Sequence, residues 1–500
     1  MHNARDFLFS LHQRGIRLWA DNGLLRFHAA RGRLLPSELT RLRALKIEIL
    51  ELLEPSSPFA EFPLEQRLAD CQVPLTAVQR RWLSYVIKQH TGLMRTSTVA
   101  MHILGQLDVG LLRNSIEAVI ERHESLRTRF VTVDGIPRQH IDAACQWNFD
   151  AIDRVGTIGE VERLAKSFVE QDMNVSEGPL FKARLFELSD REFVLVMALD
   201  HMITDGISKA LLSKEIRTLY DKGAAGRGLW LPQLTLQFAD YAVWQQRNYG
   251  AWLRKHEAYW RERMAAASNV QIPADGDSSE VRHPVGAMAR ILLGDALSAE
   301  LRNLARRERT LLSLVVLTIY LTVMSRWCGR PDLLLTFAIN GRDRPELRNI
   351  LGFFASFLHL RIDISDADSL CDVLKQVNLE FHAACDHQDV AIDFIPEETT
   401  ELSFNWLPID SLQPSLQYGP EGRDRLHFRP FPLRAVSPCK FAPFFSDTEA
   451  GVTVTVLYRP DLISAGTIDR FGHDMRVFAE ELVQRPLTRA NSVLMTVNKS

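Results

Sequence analysis

The chain predicts an α/β fold of two lobes preceded by a small αββα module. Three observations carry this reading. Its 500 residues are too many for one core, so two or three domains are expected. From about residue 65 onward, helical periodicity alternates with apolar runs of strand length. Before that, a compact pattern ends near Pro58 in the Pro- and Ser-rich stretch "EPSSPFAEFP". The expected division is 1–58, 65–268 and 269–500, with the lobes joined near residue 270.

In the first module, Phe7, Leu8 and Leu11 mark one side of a short helix. "GIRLWADNGLLRFHA" then places Ile16 and Leu18 on one face and breaks at Asp21-Asn22-Gly23. Asn-Gly between two extended runs signals a hairpin, because both residues tolerate positive φ. In "PSELTRLRALKIEILELLEP", Ser37 can cap a helix whose stripe is Leu39, Leu42, Leu45, Ile49 and Leu53. Up to Pro58 there are nine Lys or Arg against six Asp or Glu, on a chain of net charge -3. A basic hairpin with an exposed edge can take an acidic peptide by strand addition. A solvated basic appendage fits the same composition.

The remainder reads as follows. "LLRNSIEAVIERHESLRTRFVTVDG" is a helix running into a strand, "FVLVMALDHM" an apolar strand and "DGISKALLSKEIRTLYDKG" a helix. "LQFADYAVWQQRNYGAWLRKHEAYWRERM" is a long aromatic-rich helix, and "NVQIPADGDSSEVRHPVG" is a polar break. "LLSLVVLTIYLTVMSRW" is too short and too polar to span a bilayer and reads as a buried helix; "VTVTVLY" is a late strand.

Composition excludes several classes. Hydrophobic content of 46% and charged content of 24% are ordinary for a globular protein. The small net charge gives no footprint for nucleic acid or a membrane surface. The six cysteines form no CxxC pair, so they read as buried thiols, with no metal site and no disulfide frame, in a reducing compartment. "MHNARDFLFSLHQRG" lacks the apolar core of a signal peptide, so a cytoplasmic protein is expected.

The chemistry concentrates in "LDHMITDGIS", residues 199–208. His201 and Asp205 stand where a strand gives way to a helix, a place where side chains meet a cleft. Strand residues alternate in direction, so Asp200 is expected to point away from the pocket of His201, and its change to His to be mild. A neutral imidazole can accept a proton from a nucleophile. The same ten residues also fit a plain Asp-Gly turn beside a structural histidine.

This stretch resembles the core motif of condensation domains of nonribosomal peptide synthetases, His-His-x-x-x-Asp-Gly. Five other stretches are similar to further motifs of that family, in the same order: "PLTAVQRRWL" (74–83), "RHESLRTRF" (122–130), "LQFADYAVWQ" (236–245), "NGRDRPELRNILGFFASFLHLR" (340–361) and "HQDVAIDFI" (387–395). "SFNWLP" (403–408) and "YRPDLISAGTIDRF" (458–471) fit the closing strands. Residues 1–55 resemble the N-terminal docking domain of the tubulysin-synthetase type, through "GIRLWADNGLLRF" and "LRALKIEILELL".

The resemblance implies two chloramphenicol-acetyltransferase-like lobes in a V, with a tunnel that admits phosphopantetheine arms from both sides. It implies an acyltransferase moving an acyl, polyketide or peptidyl chain from a carrier-protein thioester to a hydroxyl or amine. No cofactor would be bound, since the pantetheine belongs to a separate carrier protein. His201 matches the histidine of the reacting centre. Asp205 matches a structural aspartate that pairs with an arginine of the other lobe, for which Arg342 is the candidate. Gly206 matches the glycine that keeps the tunnel wall clear. The docking module would hold the C-terminal tail of an upstream carrier, with Arg17, Arg26, Arg31 and Arg33 on or beside its hairpin. The acceptor would be a free small molecule or sit on a second carrier.

Three departures qualify this. Asp200 stands where the first motif histidine is usual. Asp200, Asp205 and Ser208 also have the spacing of heterocyclisation domains, although His201 and Gly206 are not of that form. Ser356-Phe357 replace the usual Asn-Thr, which implies a changed tunnel or acceptor pocket. No further domain is expected after "SVLMTVNKS", a layout that resembles stand-alone, ester-forming condensation enzymes releasing a chain from an enacyloxin-like assembly line. The rival of another class is an inactive carrier-binding scaffold.

Overall fold

The computed structural model describes the chain apart from 1–6, 12–15, 29–35, 50–62, 90–95, 266–269, 276–285, 395–400, 408–425, 434–439, 494–500 and scattered single or paired positions. The first unit holds a hairpin, β1 (Arg17–Asp21) and β2 (Leu24–His28). Asp21 pairs with Leu24, which brackets Asn22-Gly23 as the two-residue loop the sequence predicts. Helix α1 (Pro36–Ala44) follows. It starts at Pro36, so Ser37 lies inside it and is not its cap; proline's fixed φ suits a first turn. Phe7, Leu11, Ile16, Leu42 and Ile49 pack into one small core, with Leu18, Leu25 and Leu45 against it. Leu8 and Leu53 lie outside the described residues.

The first large sheet has the order β14-β4-β9-β8-β7. Its strands are β4 (Thr96–Leu104), β7 (Ile152–Arg154), β8 (Phe181–Ser189), β9 (Glu192–Asp200) and β14 (His427–Pro430). The central strand β9 is buried on both faces. Phe193, Leu195, Met197 and Leu199 meet α3 (Val109–Arg122) and α5 (Gly206–Ala224) in one core. Val194, Val196 and Ala198 meet α4 (Ile158–Glu170) in another. Double burial explains why "FVLVMAL" shows no polar alternation. A small sheet, β3 (Val73–Pro74) with β5 (Thr128–Val133) and β6 (Ile136–Ile141), flanks it.

The second large sheet has the order β10-β16-β15-β13-β11-β12. It contains β10 (Ala287–Leu292), β11 (Asp332–Ile339), β12 (Ser356–Asp363), β13 (Ser403–Trp406), β15 (Phe441–Thr448) and β16 (Gly451–Tyr458). Around it lie α7 (Asp295–Arg307), α8 (Leu312–Cys328), α9 (Leu370–Asp386) and α10 (Ala465–Gln484). Every residue of α8 from Ser313 to Ser325 is buried, so its all-round apolar pattern is that of a core helix. Among the described residues, no single helix is long and apolar enough to cross a membrane.

Two elements cross the expected boundary near 270. Helix α6 (Phe238–Ala265) sends Trp252 and Trp260 into the core of the second sheet. Strand β14 leaves the second half of the chain and pairs with the edge strand β4, Phe428 opposite Ile103. Both follow from surface that must be covered: large indoles in one case, an open sheet edge in the other. The thiols also differ from expectation. Cys71, Cys328, Cys371 and Cys385 are free but half-buried, because they sit in a loop or near helix ends; Cys145 and Cys439 lie outside the described residues.

A further apolar cluster lies between the lobes. Val78 of α2 (Ala77–Gln89), Leu236 and Phe238 meet Leu347, Ile350, Phe353 and Phe354. It packs the loop between β11 and β12 against α2 and the start of α6, while hydrogen bonds to Asp205 and Ser208 tie the same loop to the start of α5, and there the site is built.

Candidate active site

Strand β9 ends at Asp200 and passes into one 3-10 turn, His201–Ile203. Asp200 caps that turn, its Oδ1 accepting from the Met202 amide at 2.8 Å. From α2, Gln79 Nε2 donates to the Met202 carbonyl at 2.8 Å, fixing the turn from the other side. Asp205 then caps α5 through the Ser208 amide, 2.8 Å from Oδ1. The short segment between two capped starts leaves His201 little freedom.

The His201 ring sits between two aromatic rings. Its centroid is 5.0 Å from that of Trp82 and 4.6 Å from that of Phe353. Nδ1 is buried and makes no hydrogen bond among the described residues; the residue's own backbone carbonyl favours protonation without reaching bonding geometry. Burial, then the charge of Lys209, push the imidazole below its ordinary value, and Asp205 and Asp200 only partly oppose this. His201 is therefore neutral at pH 7, the form that can accept a proton. Gly206, in the same segment, is exposed, and an added Cβ would meet nothing within 4 Å.

Asp205 is the centre of a buried clamp. Its Oδ2 accepts from Arg342 Nη1 at 2.6 Å and from the amides of Phe354 and Ala355 at 3.0 and 3.1 Å. Arg342 Nη2 donates to Ser208 Oγ at 2.8 Å, and Ser208 Oγ donates to the Gly352 carbonyl at 2.9 Å. The guanidinium lies 4.3 Å from the Phe354 ring centroid. Burial alone would raise the Asp205 pKa, but the Arg342 charge and the bonds from Arg342 and Ser208 outweigh it and hold the carboxyl below its usual range. Two glycines make room. Gly341 has φ +63°, and a Cβ there would lie 1.9 Å from the Phe354 carbonyl oxygen. A Cβ on Gly352 would lie 2.1 Å from the Phe238 ring.

A cleft lined by Val78, Tyr241, Trp244, Asp343, Ser356 and Gln388 shares Phe354 with this clamp. Ser356, one of the two departures in the fifth motif, thus lines a pocket wall. Burial pushes the Asp343 carboxyl up, against a hydrogen bond from Gln388.

Residues 70–403 match the family described as the condensation domain. The chain belongs to the condensation-domain family. Residues 5–54 match the TubC N-terminal docking domain. One of the linear gramicidin synthase proteins of Brevibacillus parabrevis is 30% identical over 451 residues, which is 87% of this chain and 6% of the relative. Phosphinothricin tripeptide synthetase PhsC of Streptomyces viridochromogenes is 28% identical, over 83% of this chain and 40% of the relative. The chain thus spans less than half the length of either. The X-domain of teicoplanin biosynthesis, solved in complex with OxyB, has the same fold: TM-score 0.75 and 22% identity, covering 87% of this chain and 99% of that one.

Of the residues singled out in this condensation-domain sequence, His201, Asp205, Gly206 and Arg342 come together. Asp200 adjoins them but is completely buried in its own cap, which makes it a structural position as much as one turned from the pocket. Arg17 and Arg26 occupy the separate hairpin, opposite His28 and Trp19; Arg31 and Arg33 lie outside the described residues. Sequence reasoning missed Trp82, Phe353, Gln79 and Lys209. It read Ser208 only as a spacing, whereas its hydroxyl ties α5 to the loop before β12. Trp82 and Phe353 were inside quoted motifs, but nothing in a helix stripe or an apolar loop says that two rings will flank one imidazole.

Proposed function

We propose that this condensation enzyme moves an acyl, polyketide or peptidyl chain from a carrier-protein thioester to a hydroxyl or amine, releasing it as an ester or amide. The observation that carries this is the neutral, ring-flanked His201, with Gly206 exposed in the same segment. A thioester carbonyl is already activated, so an amine needs mainly positioning. A hydroxyl must lose its proton as it attacks, and the imidazole is placed to take it. The proton then returns to the leaving pantetheine thiolate as the ester forms and the thioester breaks.

The substrate arrives on the phosphopantetheine of a separate carrier, and the enzyme holds no cofactor of its own. The docking module takes the upstream carrier's C-terminal tail along the β1–β2 hairpin, with Arg17, Arg26, Arg31 and Arg33 supplying positive charge. The setting is the cytoplasm, with neither nucleic acid nor membrane as partner. Reconstitution with an acylated carrier and hydroxyl and amine acceptors, with products read by mass spectrometry, is the test. Thiazoline or oxazoline products alone would favour heterocyclisation, the reading that the Asp200, Asp205 and Ser208 spacing supports. Carrier binding without product would favour a scaffold, the reading supported by likeness to an X-domain solved bound to another protein.

A further inference from the structure

The chain that leads from the docking module into the first lobe is fastened before it reaches α2. Leu64 packs against the inter-lobe cluster that contains Phe238 and Phe353. Gln66 Nε2 donates to the Thr235 carbonyl at 2.6 Å, just ahead of α6. Arg67 makes the strongest attachment. Its amide and its Nη1 both donate to Asp240 Oδ1, at 3.1 and 2.8 Å, and the Gln237 amide donates to Asp240 Oδ2 at 2.7 Å. Arg67 Nη2 lies 3.0 and 2.9 Å from the two oxygens of Glu124, in the turn that follows α3. Asp240 is 4% exposed and the Arg67 side chain 17%, so salt screens this pairing little. The rigid fork of the guanidinium holds both carboxylates in one geometry.

These anchors fix the start of α6. Phe238, in its first turn, meets Phe354 edge-on with ring centroids 4.8 Å apart, and it leaves no room for a side chain at Gly352. Phe353 stands between those two residues, and its ring centroid is 4.6 Å from that of His201. Contacts therefore run without a gap from Arg67 through Asp240 and Phe238 to the wall of the reacting centre. On its other side the segment is loosely backed. Pro63 and Glu65 border a cavity of about 130 Å³ with Asp240, Val243, Trp244, Arg247 and Asn248. Close packing does not hold that side, so the hydrogen bonds and ion pairs decide where the segment sits.

We propose that residues 63–67 are a positioning strap for the active site, with Arg67 as its positioning residue: seated on Asp240 and Glu124, Arg67 sets α6 so that Phe353 stays against the His201 ring. The effect on rate rests on acyl transfer at His201; the effect on the ring does not. Removing the docking module alone and removing the strap with it therefore have different outcomes.

The experiment compares the full chain with Arg67→Met, Arg67→Lys and Leu64→Asn, and a chain lacking residues 1–58 with one lacking 1–67. The donor is octanoyl-N-acetylcysteamine, a small thioester that needs no docking, and the acceptors are 3-hydroxybutyrate and β-alanine. Thermal unfolding of each chain ensures that folded proteins are compared. Arg67→Met is expected to lower kcat by about 10- to 100-fold, the scale of a small misplacement at the reacting atoms, with the donor KM changed by less than about threefold. Arg67→Lys should restore part of the loss, because an ammonium can still reach one carboxylate. Leu64→Asn frees the apolar anchor without orphaning a charge and should act in the same direction. The 1–67 deletion should match Arg67→Met, and the 1–58 deletion should match the full chain. With isotope-labelled histidine, the NMR signal of His201, assigned by its loss in His201→Gln, reads the ring directly. Trp82 and Phe353 shift that signal by their ring currents, so Arg67→Met should move it. An unmoved signal would overturn the proposal whatever the change in melting temperature, and so would a moved signal with kcat unchanged. The same loss in the 1–58 deletion would overturn it in favour of the docking module. A signal moved by Arg67→Met in a protein whose native form gives no turnover would retain the strap and reject acyl transfer.

Discussion

His201 is held neutral by its surroundings, the form that the proposed proton transfer needs. For a hydroxyl acceptor, His201→Ala should lower kcat by about 10²- to 10⁴-fold, the usual worth of general base help. An amine of low pKa should lose less, because it can attack as the free base. Assays of both acceptors on one folded variant would check this, and equal losses would remove the base assignment. The pH dependence has a definite sign. The folded imidazole has a depressed pKa, so the acid limb of kcat/KM should fall below the ordinary histidine value of about 6.5. Stability linked to this group is complete above about pH 6.5 and declines as the pH falls below it, because only the unfolded chain then gains the proton readily. Lys209→Met should shift the activity limb upward, since one of the depressing charges is gone. Motif position made His201 legible in the sequence. Its tuning was not, because Lys209, Trp82 and Phe353 act through space and each reads locally as an ordinary helix or core residue.

Between elements, the clamp of Asp205, Ser208 and Arg342 joins the start of α5 to the loop before β12. Arg342 was identifiable beforehand only through the resemblance; hydropathy carries no sign of a partner 137 residues away. Asp205→Ala leaves a buried guanidinium and two loop amides without their acceptor. Breaking such a pair typically costs about 3–5 kcal/mol, and denaturant titration should show a loss of that size. Arg342→Met on the same background should recover part of it by removing the orphaned charge. A folded Asp205→Ala chain of unchanged midpoint would undo the clamp. The carboxyl is held below its usual range, so its contribution is complete above about pH 4 and is lost only as the pH falls through the depressed value. Gly352 tests the same contact from the other side. Gly352→Ala drives a methyl into the Phe238 ring, so the loop must move off α6. Overpacking of this kind costs about 1–3 kcal/mol, and catalysis should fall with it because Phe353 is the next residue in the chain. Stability unchanged with activity intact would show that the loop tolerates displacement.

At the scale of the molecule, the chain divides less cleanly than its composition does. The linker expected in "EPSSPFAEFP" lies almost wholly outside the described residues. The hairpin at Asn22-Gly23 could be read directly, because both residues tolerate the backbone that a two-residue turn needs. The crossing of β14 could not, since a four-residue strand carries no address for the sheet that it joins. Nor could the reach of α6 into the second core, where burial of Trp260 is decided by a distant surface. The N-terminal unit is the exception: Phe7, Leu11, Ile16, Leu42 and Ile49 form a core of their own, with no member in the two large ones. Among the described residues, its removal therefore takes no side chain from either lobe's core. Deleting residues 1–58 should leave thermal unfolding of the lobes unchanged and should leave turnover of a small thioester mimic intact. Turnover of the native carrier should fall at low carrier concentration and recover at high concentration, because tethering acts through effective concentration. Added salt should narrow the gap between full-length and truncated enzyme, since charge pairing with the arginines on or beside the hairpin is screened within about 10 Å at 0.1 M. Equal carrier kinetics for both chains at low concentration would reduce the module to a basic appendage. A loss that also appears with the small mimic would mean instead that the module supports the lobes, against the separateness of its core.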